Sequence, residues 1–231
     1  LTIVFWIGEP VPIPVTALMG PTLALMIGAV PGASPRELAA NAYSKFGDPI
    51  LMMFIGGFFI AEAMSVHGLD RRIALRILST RAFGASPGRR IIGLAVTTAL
   101  LSMWISNTAT TALMIPIPLG MLSFAGDASG SAARKAQAAT LLTISYASTL
   151  GGLGTPVGTA PNLIGIGAIR NLTGTQVGFV QWMSFGVPVM AAGLVFLCWR
   201  MRRDVPSGGG DRSSLARREL AAMGPVTRGQ W

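Results

Sequence analysis

From Ile91 to Leu122 the chain runs for 32 residues without one ionisable side chain. Crossing the hydrocarbon core of a bilayer takes about 20 residues of helix, so this stretch is too long for one crossing and too short for two. Its centre is polar, with Trp104, Ile105, Ser106, Asn107 and Thr108 followed by Thr110 and Thr111. Two apolar arms meeting at a polar tip describe a re-entrant helical hairpin over 91–122. A helix keeps its backbone hydrogen bonds internal, and a non-helical tip is tolerated at membrane depth only where protein or a cavity covers it.

Composition agrees that lipid is the solvent. Only 12% of the 231 residues are charged and 51% are hydrophobic, with a mean hydropathy of +0.58. Soluble domains carry about 25% charged residues. A second anomaly lies in Ala136–Ile169, which is apolar but interrupted by GGLGTPVGTAPN, residues 151–162. Glycines 151, 152, 154 and 158 with Pro156 and Pro161 cannot stay helical throughout. The sequence predicts a helix, an unwound linker and a second, shorter helix.

Other spans are simpler. Residues 1–7 read as the end of an apolar segment that begins upstream, which implies a chain clipped at its start. Val11–Val30, Pro49–Val66 and Gln181–Trp199 are further candidates, the last with Trp182 and Trp199 as interfacial anchors. Residues 69–83 place Arg71, Arg72, Arg76 and Arg81 among Ile73, Leu75, Ile77 and Leu78. That spacing predicts a basic amphipathic helix lying in the interface. The domain organisation expected is therefore 1–48 as amino-terminal membrane helices, 49–199 as a transport-type repeat, and 200–231 as a linker and tail. Within that tail, LARRELAAM (215–223) has the pattern of a short amphipathic surface helix.

The net charge of +9 does not point to nucleic acid. Of 18 basic residues, six arginines lie between Arg71 and Arg90 and seven between Arg200 and Arg228, each block abutting an apolar segment. Such flanks mark cytoplasmic loops. If 91–122 enters and leaves by one face, both blocks and the Arg134–Lys135 pair fall on the cytoplasmic side together. A single crossing would put the Arg-rich tail outside. The expected location is the cell membrane, multi-pass, with basic loops and tail cytoplasmic.

One cysteine and one histidine offer neither a disulfide framework nor a zinc site. Cys198 reads as a packed thiol, His67 as a helix-end residue and Glu62 as a helix-end carboxylate. No phosphate-cradling loop, zinc-protease motif or nucleophile elbow is present, so the expectation is not an enzyme. The hairpin and the broken helix contain no Asp, Glu, His, Lys or Arg, so an anion bound there would rely on backbone N–H groups, hydroxyls, an amide and a bound cation. Freed carbonyls suit Na⁺ and half-helix N-termini face anionic groups in transporters. The lack of a proton-relay side chain favours Na⁺ over H⁺ as coupling ion.

These residues resemble a known family. Ser106-Asn107-Thr108, within LLSMWISNTATTALMIPI, is similar to the Ser-Asn-Thr motif of the divalent-anion/sodium symporters, which carry dicarboxylates, citrate or sulfate. GGLGTPVGTAPN resembles that family's broken-helix linker, and FIGGFFIAEAMSVHGLDRRIAL its preceding span and interfacial helix. The resemblance covers residues from about 50 to 223. It implies an all-α polytopic membrane fold that is one repeat of an inverted-repeat transporter. It implies a sodium site at Ser102, Ser106, Asn107 and the backbone of Gly158. It implies contacts to substrate from Ser106, Asn107, Thr108, Thr159 and Pro161, with Ala160 standing where some relatives have a second proline. The family also has a second repeat with its own Ser-Asn-Thr and sodium site, which this sequence does not contain, and its first helix is not evident. The partners implied are a small anion, the bilayer, a carboxy-terminal half carrying the second repeat, and a second copy in a homodimer. The alternatives are a transport-incompetent membrane scaffold or a related anion permease with another driving force.

Overall fold

The computed structural model describes residues 2–80, 83, 86–118, 131–204 and 213–226. Residues 81–82, 119–122 and 205–212, which the sequence assigns to the ends of the amphipathic helix and hairpin and to the linker, lie outside these. All regular structure among the described residues is helical. The chain divides into two compact units, residues 1–53 and 54–231.

The first unit holds α1 (Thr2–Gly8), α2 (Ile13–Met26), α3 (Pro35–Tyr43) and a 3₁₀ turn at Ser44–Gly47. Ser34 caps α3 by accepting from Glu37 N, and the Glu37 carboxylate accepts from Ala33 N in return, a reciprocal arrangement that fixes the helix start. A Thr22–Tyr43 hydroxyl pair at 2.7 Å ties α2 to α3. At 14 residues, α2 is shorter than the Val11–Val30 span expected from hydropathy. It rises only about 21 Å, short of the ~30 Å hydrocarbon core. Proline marks its beginning, and Gly28, at φ +70°, turns the chain just past its end.

Helix α4 (Pro49–Val66) begins at the end of the first unit and belongs to the second from residue 54 on. The axis turns by 69° into α5 (Leu69–Leu78), with Gly68 at φ +64° making the corner. Next come α6 (Pro87–Ser102) and α7 (Asn107–Met114), which meet at the polar centre of the 91–122 stretch. The next apolar stretch is α8 (Ser131–Gly152), a non-helical segment at 153–159, and α9 (Ala160–Thr173). Last come α10 (Phe179–Met201), running through a 3₁₀ turn to Asp204, and α11 (Ser213–Ala222). Residues 179–204 form the one described helix that is by itself long and apolar enough to span a bilayer, with mean hydropathy 1.7 over its most apolar window. The bent α4–α5 pair is a second if taken as one span.

Helix α6 is the centre of the second unit, packing on α5, α7, α8 and α10. Its small residues let backbones approach. Ala95 and Ala99 are fully buried, the first beside Ala147 of α8 and Leu197 of α10, the second beside Met190. A Cβ at Gly151 would lie 2.4 Å from the Ala99 carbonyl oxygen, so only glycine permits this crossing. Close approach through small residues is how membrane helices associate without a hydrophobic driving force between them. A larger apolar cluster gathers Leu75 and Leu78 of α5, Leu94 and Leu101 of α6, Met114 of α7, Ile117, Ile144 of α8 and Ala216 of α11. The apolar face of α5 is therefore covered by protein.

Candidate functional site

Helix α6 ends at Ser102, and five residues later, at Asn107, the chain starts α7. Ser106 is the N-cap, at φ −56° and ψ 146°, and its hydroxyl accepts from Ala109 N at 3.3 Å. This leaves Asn107 and Thr108 in the first turn of α7. The Asn107 carboxamide oxygen accepts from the buried Ser102 hydroxyl at 2.8 Å, which fixes the amide across the tip. The Asn107 carbonyl accepts from Thr111 Oγ1, which also meets Ser148 Oγ of α8 at 2.9 Å. The tip is thus tied both to its own arms and to the broken helix.

The break itself is held by side chains. Asn162, 3% exposed, donates from Nδ2 to the carbonyls of Gly152 at 2.7 Å and Thr155 at 2.8 Å. Trp182 Nε1 donates to the Leu153 carbonyl at 3.0 Å. Helix termination at Gly152 orphans carbonyls in just this stretch, and Asn162 and Trp182 take three of them. Thr155 joins the two motifs: its hydroxyl donates to the Met103 carbonyl at the hairpin turn and accepts from Gly158 N. Gly152 and Gly158 are required by proximity. A Cβ on the first would meet Asn107 Oδ1 at 2.6 Å, and on the second the Gly152 carbonyl oxygen at 2.6 Å.

Between tip and break lies a cleft of about 250 Å³, lined by Gly57, Phe58, Trp104, Ser106, Asn107, Thr108, Val157, Gly158, Thr159 and Ala160. None of these carries a charge. Two helix N-termini open onto it, those of α7 and α9. Unlike Ser106, the α9 N-cap Thr159 makes no capping bond with its own side chain, so its hydroxyl is not committed to the helix. Backbone N–H groups and the positive ends of two helix dipoles favour an anion there. Hydroxyl and carboxamide oxygens can add neutral ligands for a hard cation.

A family model described as citrate transporter matches residues 3–223. The chain belongs to the citrate transporter family. It is 37% identical over 235 residues to the sodium-dependent dicarboxylate transporter SdcS of Staphylococcus saprophyticus, covering 96% of this chain and 43% of that protein. It is 35% identical over 206 residues to the SdcS protein of Staphylococcus aureus, covering 87% of this chain and 38% of that protein. The chain thus spans less than half the length of these relatives.

Within this family member the expected site residues separate into three groups. Ser106, Asn107, Thr108, Gly158 and Thr159 line the one cleft. Ser102 lies behind it, fully buried, and reaches it through Asn107. Pro161 is exposed at the start of α9 and does not line the cleft. Sequence reasoning missed Thr155, Asn162 and Trp182, which hold the break. A signal existed for Asn162, because an Asn set in the apolar stretch that precedes Arg170 has to find partners inside the protein. Phe58 and Gly57, from α4, could not be assigned to the cleft from their position in the chain.

A second cleft, of about 380 Å³, shares Phe58 and Ser106 with the first and is lined also by Ile55, Phe59, Ala61, Glu62, Ser65, Ile105 and Ala109. It brings a carboxylate to the flank of the tip, although neither anomalous segment contains one.

Proposed function

We propose that this chain forms half of the binding site of a sodium-coupled transporter for small divalent anions, with a dicarboxylate as the first substrate to test. The observation that carries the reading is the convergence of two helix N-termini and a broken backbone on one uncharged cleft. Asn107, Thr108 and Thr159 would hydrogen-bond a substrate carboxylate, with Ser106 beside them. Sodium would be held by oxygens of Ser106 and Asn107 near the Gly158 backbone, with Ser102 orienting the Asn107 carboxamide. Sodium so placed offsets the negative charge of the anion, which the lining side chains cannot do. The relatives named above are called sodium-dependent dicarboxylate transporters, which supports both cation and substrate class.

The same reading takes the α6–α7 pair as a hairpin entering and leaving by the cytoplasmic face, with the two basic blocks on that side. It takes the complete transporter as a homodimer in the cell membrane. Alternating access around a midplane site moves one repeat or bundle against another, so the ligands opposite this cleft would come from a second repeat.

The test is uptake of labelled succinate, citrate or sulfate into liposomes under an inward sodium gradient. Residues 1–231 reconstituted alone should give none, and together with a second-repeat half from a relative they should give sodium-dependent uptake. Robust uptake by residues 1–231 alone would overturn the half-site reading. Uptake by the pair that ignores sodium would favour a permease with another driving force.

A further inference from the structure

Helix α11 does not lie free on the surface, as its amphipathic pattern suggests. It lies antiparallel to α5, and each helix places an arginine on the carboxy-terminal carbonyls of the other. Arg72 of α5, 8% exposed, donates to the carbonyls of Met223, Gly224 and Pro225 just past the end of α11, at 3.2, 2.9 and 3.2 Å. Arg217 of α11 donates from Nε to the carbonyl of Ser79, the C-cap of α5, at 3.1 Å. The last carbonyls of a helix lack intrahelical partners and carry the negative end of its dipole, so a guanidinium there satisfies both. A buried guanidinium is tolerated only where such partners exist. Arg71 adds an exposed ion pair to Glu219 at 3.3 Å.

Beneath this exchange the contact is apolar. Ala216, 2% exposed, enters the same cluster as Leu75, Leu78, Leu94, Leu101, Met114 and Ile117, and Leu220 and Met223 pack against it. That cluster contains Leu94 and Leu101 of α6 and Met114 of α7, the two helices that meet at the tip beside the cleft. We propose that α11 is a clasp, seated on α5 by reciprocal arginine capping, whose release loosens the packing of α6 and α7 and so links the tail to the tip. The consequence for ligand binding rests on the transporter reading above. The clasp itself does not.

The test therefore uses no sodium and no anion. Single cysteines are placed in a Cys198→Ser background of the full chain, purified in detergent, and timed against a soluble maleimide. Ala216→Cys should label on the order of tenfold more slowly than the exposed Ala222→Cys, since a docked element reacts only through local opening. Arg72→Gln should erase most of that difference and at the same time speed labelling of Ile117→Cys, at the hairpin base. Arg217→Ala removes only the exposed partner and should give a smaller rise at both positions. If Arg72→Gln fails to fold, Arg217→Ala decides: no rise at either cysteine overturns the clasp. Equal labelling of Ala216→Cys and Ala222→Cys in the parent overturns the docking. Release of Ala216→Cys with Ile117→Cys unchanged overturns the link to the hairpin. Absence of anion binding in the parent paired-half protein, with all labelling as expected, would count against the transporter reading and leave the clasp standing.

Discussion

The two helix starts that open onto the cleft are built by different means. Helix α7 is capped locally: Ser106 accepts from Ala109 N, three residues on, and Asn107 is fixed by Ser102, five residues back. Helix α9 has no such cap at Thr159, and the break before it is held by Asn162, Trp182 and the contact between Thr155 and Met103. The start of α7 is thus specified largely by neighbours in sequence. The broken helix depends on partners as far as 52 residues away. The first should tolerate loss of a single cap, whereas the second should not tolerate loss of its buried scaffold.

Asn162→Ala gives the largest expected effect. It leaves the Gly152 and Thr155 carbonyls without their donor in a buried site, at about 1–3 kcal/mol each. A large fall in the thermal midpoint of the detergent-purified chain is expected, and a midpoint within a degree or two of the parent would show that the break is not held this way. Gly151→Ala comes next. Its Cβ would meet backbone atoms of Ala99, which cannot rotate away, so α6 and α8 have to separate, at a cost typical of overpacking, about 1–3 kcal/mol. Stability should drop without any change in the chemistry lining the cleft.

Asn107→Ala probes the region where the two constructions meet. In the paired-half transporter it should weaken sodium dependence and anion affinity together, each by about tenfold or more, because one side chain would serve both ligands and its loss costs about 1–3 kcal/mol. If only the maximal rate changed, Asn107 would be a structural residue. The smallest effects distinguish the two caps. Ser106→Ala should lower stability by about 1 kcal/mol, the usual value of an N-cap. Thr159→Ala should leave thermal stability near the parent's and act on anion affinity. A larger stability loss at Thr159 than at Ser106 would reverse the comparison.

Much of this was legible because the physics involved is local. The tip could be placed at Ser106–Thr108, since an uncharged 32-residue run with a polar centre has few membrane solutions. The glycines and prolines of 151–162 mark where a helix has to stop. The length of α2 was misjudged, because hydropathy measures apolar composition while its proline-marked start and Gly28 set where the helix begins and ends. The resemblance implies a substrate contact from Pro161, but this residue is exposed in the first turn of α9 and is not among those lining the cleft.

Sequence by itself determined the solvent, the helical class, the two interruptions and the absence of charge from both, since each follows from residue type over a window shorter than one span. Only the tertiary structure decided that both interruptions face a single cleft, that Thr155 and Asn162 hold the break, that Glu62 flanks the tip, and that α11 packs on α5. Those pairings join residues from separate helices. The sequence records that Asn162 needs hydrogen-bond partners and that Gly151 leaves room. Which carbonyls Asn162 meets and which backbone fills that room depend on how the helices cross.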